Sequence, residues 1–352
     1  MRIASVEVIP YALPFKAPYV TARGRLQRRE MALLRLRSED GLTGLGEAVP
    51  LSLRGGAGLA RVVGELELLG ELSELDEAGL GGGIANLSAP ARCAALTALL
   101  DLRGRRAAAE GRSEASAGEP IPCNATLVAG EPAAVAEDAR RWAAEGFTTF
   151  KLKLGAGDDL GQARAVREAV GPGARIRVDA NATWDVATAR QRLAELEQVG
   201  VELAEQPVAT LEDLAAVAAA TSIPIAGDES VESRLDAERA ASLGACSLAG
   251  VKLSKVGGPE EAIAIAEVLP TYLSSALDGP VGIAAAAQVA QTLREGAPGG
   301  GLDLAHGLAT QRLFASTVAR VECELRDGML HSPPGPGLGV ELDERALDLH
   351  RL

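Results

Sequence analysis

A parallel (β/α) barrel, within the α/β class, is what residues 148–258 predict. Five short apolar runs there each end in charged residues: TFKLKLG, IRVDAN, LAEQP, IAGDES and VKLSKVGG. They bring Lys151 and Lys153, then Asp179, Glu205, Asp228 and Lys252, to the ends of successive strands. From 153 to 179, 205, 228 and 252 the intervals are 26, 26, 23 and 24 residues. A period of about two dozen residues holds one strand and one helix, the unit of such a barrel.

Helices cover the outside of a β/α barrel and side chains fill its inside, so charges at the C-terminal ends of its strands face the mouth. Alternation along TFKLKL puts Lys151 and Lys153 on the inner face and Phe150, Leu152 and Leu154 on the outer one. Taken singly, such a lysine suits a solvated edge strand and such an acid caps a following helix. Six in phase are not explained that way.

The remaining chain falls into place around this block. Residues 1–48 alternate as strands, with SEDG as a turn, and read as an antiparallel meander. KAPYVTARGRLQR and LSLRGGAGLAR, loops near 16–30 and 50–60, would bring Tyr19, Arg23 or Arg25 toward a substrate if this part covers the barrel mouth. From Leu59 to about Arg106 the pattern is helical, with Leu96, Leu99 and Leu100 on one stripe. GRSEASAGEPIP reads as a linker, and CNATLVAG as the first barrel strand, with Asn124 at its inner end. Helices are expected near 131–145, 158–170, 185–199, 210–220, 231–243 and 259–268. TYLSSALDG and GLDLAHGLAT supply the seventh and eighth strands, and after about 320 the chain reads as extended and rich in turns.

With 352 residues, 47% of them hydrophobic and only 3% aromatic, the chain fills a large core with Ala, Leu and Val. A formal net charge of −13 argues against nucleic acid and against an anionic membrane surface. Cys93, Cys123, Cys246 and Cys323 show no ligand spacing and read as buried thiols. MRIASVEVIPYALPF lacks the basic start and apolar core of a signal peptide, and no run of about eighteen apolar residues occurs, so a cytoplasmic protein is expected. GAGDDLG and GGGLDL read as turns rather than nucleotide loops.

Asp179, Glu205 and Asp228 on neighbouring strands offer only hard oxygen donors, which points to Mg²⁺ or Mn²⁺ and not zinc. His306, at the eighth strand, is placed to approach a substrate, but a structural or supporting role is the one expected, and Arg177 either orients Asp179 or forms an ion pair at the barrel floor. Lys153 and Lys252 flank the acids from opposite sides. A free lysine, with a pKa near about 10.4, is too basic to act as a base at neutral pH, but Lys151 and a divalent cation both disfavour the protonated form of Lys153. The chemistry expected is abstraction of a proton α to the carboxylate of a small molecule, through an enediolate.

These residues resemble the muconate-lactonizing-enzyme subgroup of the enolase superfamily over nearly the whole chain. The subgroup's Lys-x-Lys matches Lys151-Leu152-Lys153, its metal carboxylates match Asp179 in VDAN, Glu205 in EQP and Asp228 in GDES, and its sixth-strand lysine matches Lys252. Lys255, read as lying in the following loop, matches no catalytic position. The resemblance implies a modified TIM (β/α) barrel over 119–320, with an α+β N-terminal capping domain over 1–118 completed by the C-terminal segment 321–352. Within the subgroup, dipeptide epimerases place Asp-x-Asp on the eighth strand, whereas this chain has Asp303-Leu304-Ala305. SSALDGPVGIAAAAQ, residues 274–288 with Ser274 and Ser275, is similar to the seventh-strand stretch of o-succinylbenzoate synthases of menaquinone biosynthesis. That likeness implies a lyase; N-acylamino acid racemase, dipeptide epimerase and muconate cycloisomerase are the alternatives. A barrel that binds carboxylates or metal without turnover is the reading from another class. The oligomeric state is left open, a homo-oligomer included.

Overall fold

The N-terminal alternation folds as a meander in which β1 (Ile3–Thr21), β2 (Gly24–Ser38) and β3 (Thr43–Ala48) pair antiparallel in that order. The structure is a computed structural model that describes residues 2–21, 24–51, 55–71, 82–112, 118–155, 157–296 and 304–352. The stretch expected as a loop near 16–30 is instead the far end of the β1–β2 hairpin, where Tyr19 pairs with Leu26 and Val20 with Arg25. Pairing continues because the apolar side chains there have something to cover: Phe15 stacks on Tyr19 at 5.6 Å and on Phe314 at 5.0 Å. Arg23, part of the second expected loop (52–54) and the middle of the linker (113–117) lie outside the described residues.

Helices α1 (Leu59–Glu67) and α2 (Ala89–Ala109) follow. Ala94, Ala98 and Leu102, spaced four apart, form the buried stripe of α2. It lies directly on β3, since a side chain at Gly44 would meet Ala98 and Leu102 and one at Gly46 would meet Ala94. Leu100, expected on the buried stripe, is 36% exposed, because small residues rather than the leucines permit this close approach.

The barrel carries β4 (Ile121–Pro122) just ahead of it, then β5 (Ala125–Leu127), β6 (Thr149–Lys153), β7 (Arg175–Asp179), β8 (Val201–Glu205), β9 (Ile225–Gly227), β10 (Leu248–Val251) and β11 (Thr271–Leu273). From β5 to β11 these pair in parallel and in sequence order. Closure is brief: His306 bridges Cys123 and Gly307 bridges Ser274, with Asn124 N–H donating to His306 O and Ser275 N–H to Gly307 O, each at 2.9 Å. Among the described residues of the expected eighth strand, two bridging residues stand, while 301–303 lie outside the described residues.

All six expected barrel helices form: α3 (Pro132–Ala144), α4 (Asp159–Val170), α5 (Val186–Glu197), α6 (Leu211–Ala218), α7 (Arg234–Leu243) and, after the one-turn α8 (Leu253–Val256), α9 (Pro259–Ala266). Asp158, Asp185, Thr210 and Ser233 accept first-turn N–H groups, which sets where four of them start. α10 (Pro280–Gly296), unforeseen, follows the seventh strand. Phe150, Leu152 and Val178 belong to the core shared with the surrounding helices, whereas Leu203, Ala226, Leu248 and Tyr272 cluster separately with Leu304, on the inward parity. Among the described residues no helix is long and apolar enough to cross a membrane.

Beyond the barrel, β12 (Ala319–Val321), β13 (Glu324–Arg326), β14 (Met329–His331) and β15 (Glu341–Leu342) are short, and α11 (Glu344–His350) ends the chain. β14 pairs with β4, while Arg351 bridges Tyr11 and Leu352 N–H donates to Pro10 O at 3.0 Å. Arg35 of β2 reaches Glu344 at 2.6 Å.

Candidate active site

Parallel register sets the candidate residues side by side. Lys153 pairs with Asp179 and Asp179 with Glu205, while Asp228 and Lys252 directly follow β9 and β10. Lys153 Nζ donates to Asp179 Oδ2 at 2.5 Å and to Asn181 Oδ1 at 3.2 Å. Lys151 Nζ lies 2.5 Å from Glu205 Oε2 and 3.0 Å from Asp179 Oδ2. Lys252 Nζ bonds Asp228 Oδ2 and stands 3.9 Å from Glu205 Oε1. The six expected residues are thus brought together, all of them buried.

Six ions out of water are tolerable only when the signs interleave. Burial opposes ionisation of Asp179, but Lys151 and Lys153 outweigh it and hold the carboxyl well below the usual carboxylate range. Burial is the largest influence on Lys153 and opposes its charge, as Lys151 does; Asp179, joined by weaker contributions that include Glu205, more than offsets them, and the ammonium is held above its ordinary value. The sequence expectation had the sign of the Lys151 effect right and omitted the closer acid. Among the described residues no three Asp, Glu, His or Cys side chains already converge to hold an ion. The donor set nevertheless fits Mg²⁺ or Mn²⁺: three hard carboxylates on adjacent strand ends, with Glu205 Oε1 buried and without a hydrogen-bond partner among the described residues.

Supporting residues appear that spacing did not single out. Lys255 lies in α8, not a loop, and is buried, donating to Asp228 Oδ1 and to Val231 O at 2.9 Å each. Gln206, with φ +39°, accepts the Asp228 N–H at 2.8 Å and donates to Val208 O at 2.8 Å, tying the end of β8 to that of β9. Tyr272 O–H donates to Glu205 Oε2 at 2.5 Å. The signals were present: Gln206 adjoins Glu205, and Tyr272 shares the parity of Ser274. Arg177 does not orient Asp179; it donates to Glu202 and to Ala305 O at 2.7 Å each, the floor ion pair of the two alternatives. His306 accepts the Leu273 N–H on Nδ1 at 2.9 Å, and burial pushes its pKa down to about 3, so it is a neutral structural residue.

Among the other expected substrate contacts, Ser274 follows β11 beside Lys252, with its N–H on Val251 O at 2.7 Å. The Ser275 hydroxyl is turned to Asp278 Oδ2 at 2.7 Å. Asn124 is fully buried and donates to Ala125 O at 3.2 Å. Tyr19 is near enough to Lys153 to favour its charge. Asp303 and Arg23 lie outside the described residues.

The chain is similar to known proteins over nearly its whole length. Residues 134–346 match the family described as Enolase C-terminal domain-like. An o-succinylbenzoate synthase of Thermobifida fusca (strain YX) is 38% identical over 207 residues, 57% of this chain and 62% of that protein. Muconate cycloisomerase 1 of Pseudomonas putida is 29% identical over 368 residues, covering 97% of this chain and 96% of the relative. The crystal structure of a dipeptide epimerase from Enterococcus faecalis V583, complexed with Mg and the dipeptide L-Leu-L-Tyr, superposes with a TM-score of 0.87 at 26% identity, over 97% of this chain and all of that one. The relatives are enzymes, their reactions differ, and the chain belongs to the enolase superfamily, among the proteins related to muconate-lactonizing enzyme.

Proposed function

We propose that this protein removes the proton α to the carboxylate of a small molecule, with Mg²⁺ or Mn²⁺ held by Asp179, Glu205 and Asp228, and that its reaction is the dehydration of 2-succinyl-6-hydroxy-2,4-cyclohexadiene-1-carboxylate to o-succinylbenzoate. The observation that carries the first part is the placement of Lys153 on Asp179 and Lys252 on Asp228, one at each end of the acidic row with Glu205 between. When bound, the cation supplies positive charge where negative charge develops on the substrate carboxylate. Lys153, its carboxylate partner then engaged, takes the α-proton on Nζ, with Lys151 opposing a second positive charge beside it. Lys252 steadies the developing charge from the opposite side. The hydroxyl leaves as water, taking up the proton that Lys153 then carries, and the ring becomes aromatic, so the elimination is intrinsically easy.

Likeness to the Thermobifida o-succinylbenzoate synthase supports dehydration, although the match spans only 62% of that protein. Asn124, Ser274, Ser275, Tyr19, Arg23 and Asp303 are proposed to contact the substrate. The test is direct: purified protein with Mg²⁺ or Mn²⁺ is given the cyclohexadiene, N-acylamino acids, dipeptides and muconate in parallel. Dehydration supports the assignment; racemisation, epimerisation or cycloisomerisation without dehydration removes it and leaves the metal and lysine roles standing. No turnover and no solvent deuterium in any acid would favour a binding barrel.

A further inference from the structure

We propose that Tyr272 is a positioning residue that decides which oxygen Glu205 offers to the cation, and that position 250 is glycine to admit it. The inference rests on the reading that Asp179, Glu205 and Asp228 hold a divalent ion. Tyr272 is fully buried on β11, three strands from Glu205 on β8, so its phenol crosses the barrel interior to donate to Glu205 Oε2 at 2.5 Å. The path passes over Gly250 of β10: a Cβ there would stand 2.7 Å from the phenol oxygen and 2.9 Å from Cζ, closer than carbon approaches without something moving. The Arg177 guanidinium lies over the ring, 5.3 Å from its centroid.

The consequence falls on Glu205. Its Oε2 accepts from both Lys151 and Tyr272, whereas Oε1 is buried with no hydrogen-bond partner among the described residues. A carboxylate fixed through one oxygen presents the other, so Glu205 would have Oε1 left to offer a cation. Groups that orient a ligand from behind in this way typically change metal affinity by about 10–100-fold when removed. A glycine facing a tyrosine on the next strand is therefore one device: Gly250 makes the space and Tyr272 spends it on Glu205.

Mn²⁺ binding, read by calorimetry and electron paramagnetic resonance without substrate, tests this in the wild type, E205Q, Y272F, G250A and the double variant. Y272F keeps the ring and loses only the hydroxyl, so its melting temperature should hold while Mn²⁺ binds about tenfold more weakly. G250A should weaken binding similarly by displacing the phenol, and Y272F with G250A should be no weaker than Y272F alone, since both act through one bond. If G250A does not fold, Y272F decides. Binding impaired in E205Q yet unchanged in Y272F overturns the role of Tyr272 alone, and additive losses in the double variant overturn the link to Gly250. A wild-type protein that takes up no Mn²⁺ overturns the premise and the inference together.

Discussion

Glu47, at the end of the N-terminal sheet, accepts the N–H of Gly279 at 2.6 Å, so the meander holds the loop that follows the seventh barrel strand. Tyr11 O–H donates to the other oxygen of Glu47 at 2.8 Å, and a Cβ at Gly282 would stand 2.9 Å from Glu47 Oε1. The loop itself is wound on Ser275 and Asp278, with Leu277 at φ +69°. Ser274 and Ser275 are thus positioned partly from outside the barrel.

A pH dependence of stability follows from this contact. Burial, reinforced by Asp278, pushes the Glu47 carboxyl from 4.5 up to about 7, while bonds from Tyr11 and Gly279 pull the other way. The charged and titratable groups facing it are Tyr11 on β1, Asp278 on the loop and Cys93 on α2. A folded value above the unfolded one means that the folded protein binds this proton more tightly. The contribution, about 3 kcal/mol at most, is present below about pH 4.5 and is lost as pH rises through 7. E47Q cannot ionise, so its melting temperature relative to the wild type should climb between pH 5 and 8; a constant difference would sink the argument.

Metal removal should abolish turnover, and Mg²⁺ or Mn²⁺ should restore it. Glu205→Gln should weaken Mn²⁺ binding by about tenfold or more and leave the circular dichroism spectrum unchanged, because one oxygen of a preformed barrel loses its charge. Full activity in thoroughly metal-free protein would end this expectation.

The two lysines separate in kinetics. Lys153→Ala should lower kcat by about 10²–10⁴-fold, the contribution typical of a positioned base. Lys252→Arg keeps the positive charge but is a poor proton donor, so it should retain part of any dehydration and lose racemisation. Near-normal rates in Lys153→Ala would take that residue out of its role.

Gly46→Ala probes the packing of α2 on β3. A Cβ there meets the Ala94 carbonyl, which is backbone and cannot rotate aside. The variant should lose about 1–3 kcal/mol in urea denaturation. Gly58→Ala, where nothing lies within 4 Å, is the control and should change far less.

By itself the sequence determined the barrel, its six helices and the inward row from Lys151 to Lys252, because strand alternation and a steady strand–helix period are local patterns that write burial into residue order. It also identified the superfamily, since Lys151-Leu152-Lys153 and the three acids stand at strand ends whose neighbours are set by chain order. Only the tertiary structure decided how those charges pair: that Lys153 bonds Asp179, that Lys255 holds Asp228, that Arg177 serves the floor, and that Tyr272 passes Gly250 to reach Glu205. It alone turned the expected 16–30 loop into a hairpin, through stacking of Phe15 on Phe314, nearly three hundred residues away. The physical reason is common to all of these: distance between side chains from remote strands depends on barrel closure and on which neighbour lacks a side chain, and neither is encoded in the spacing of residues along one strand.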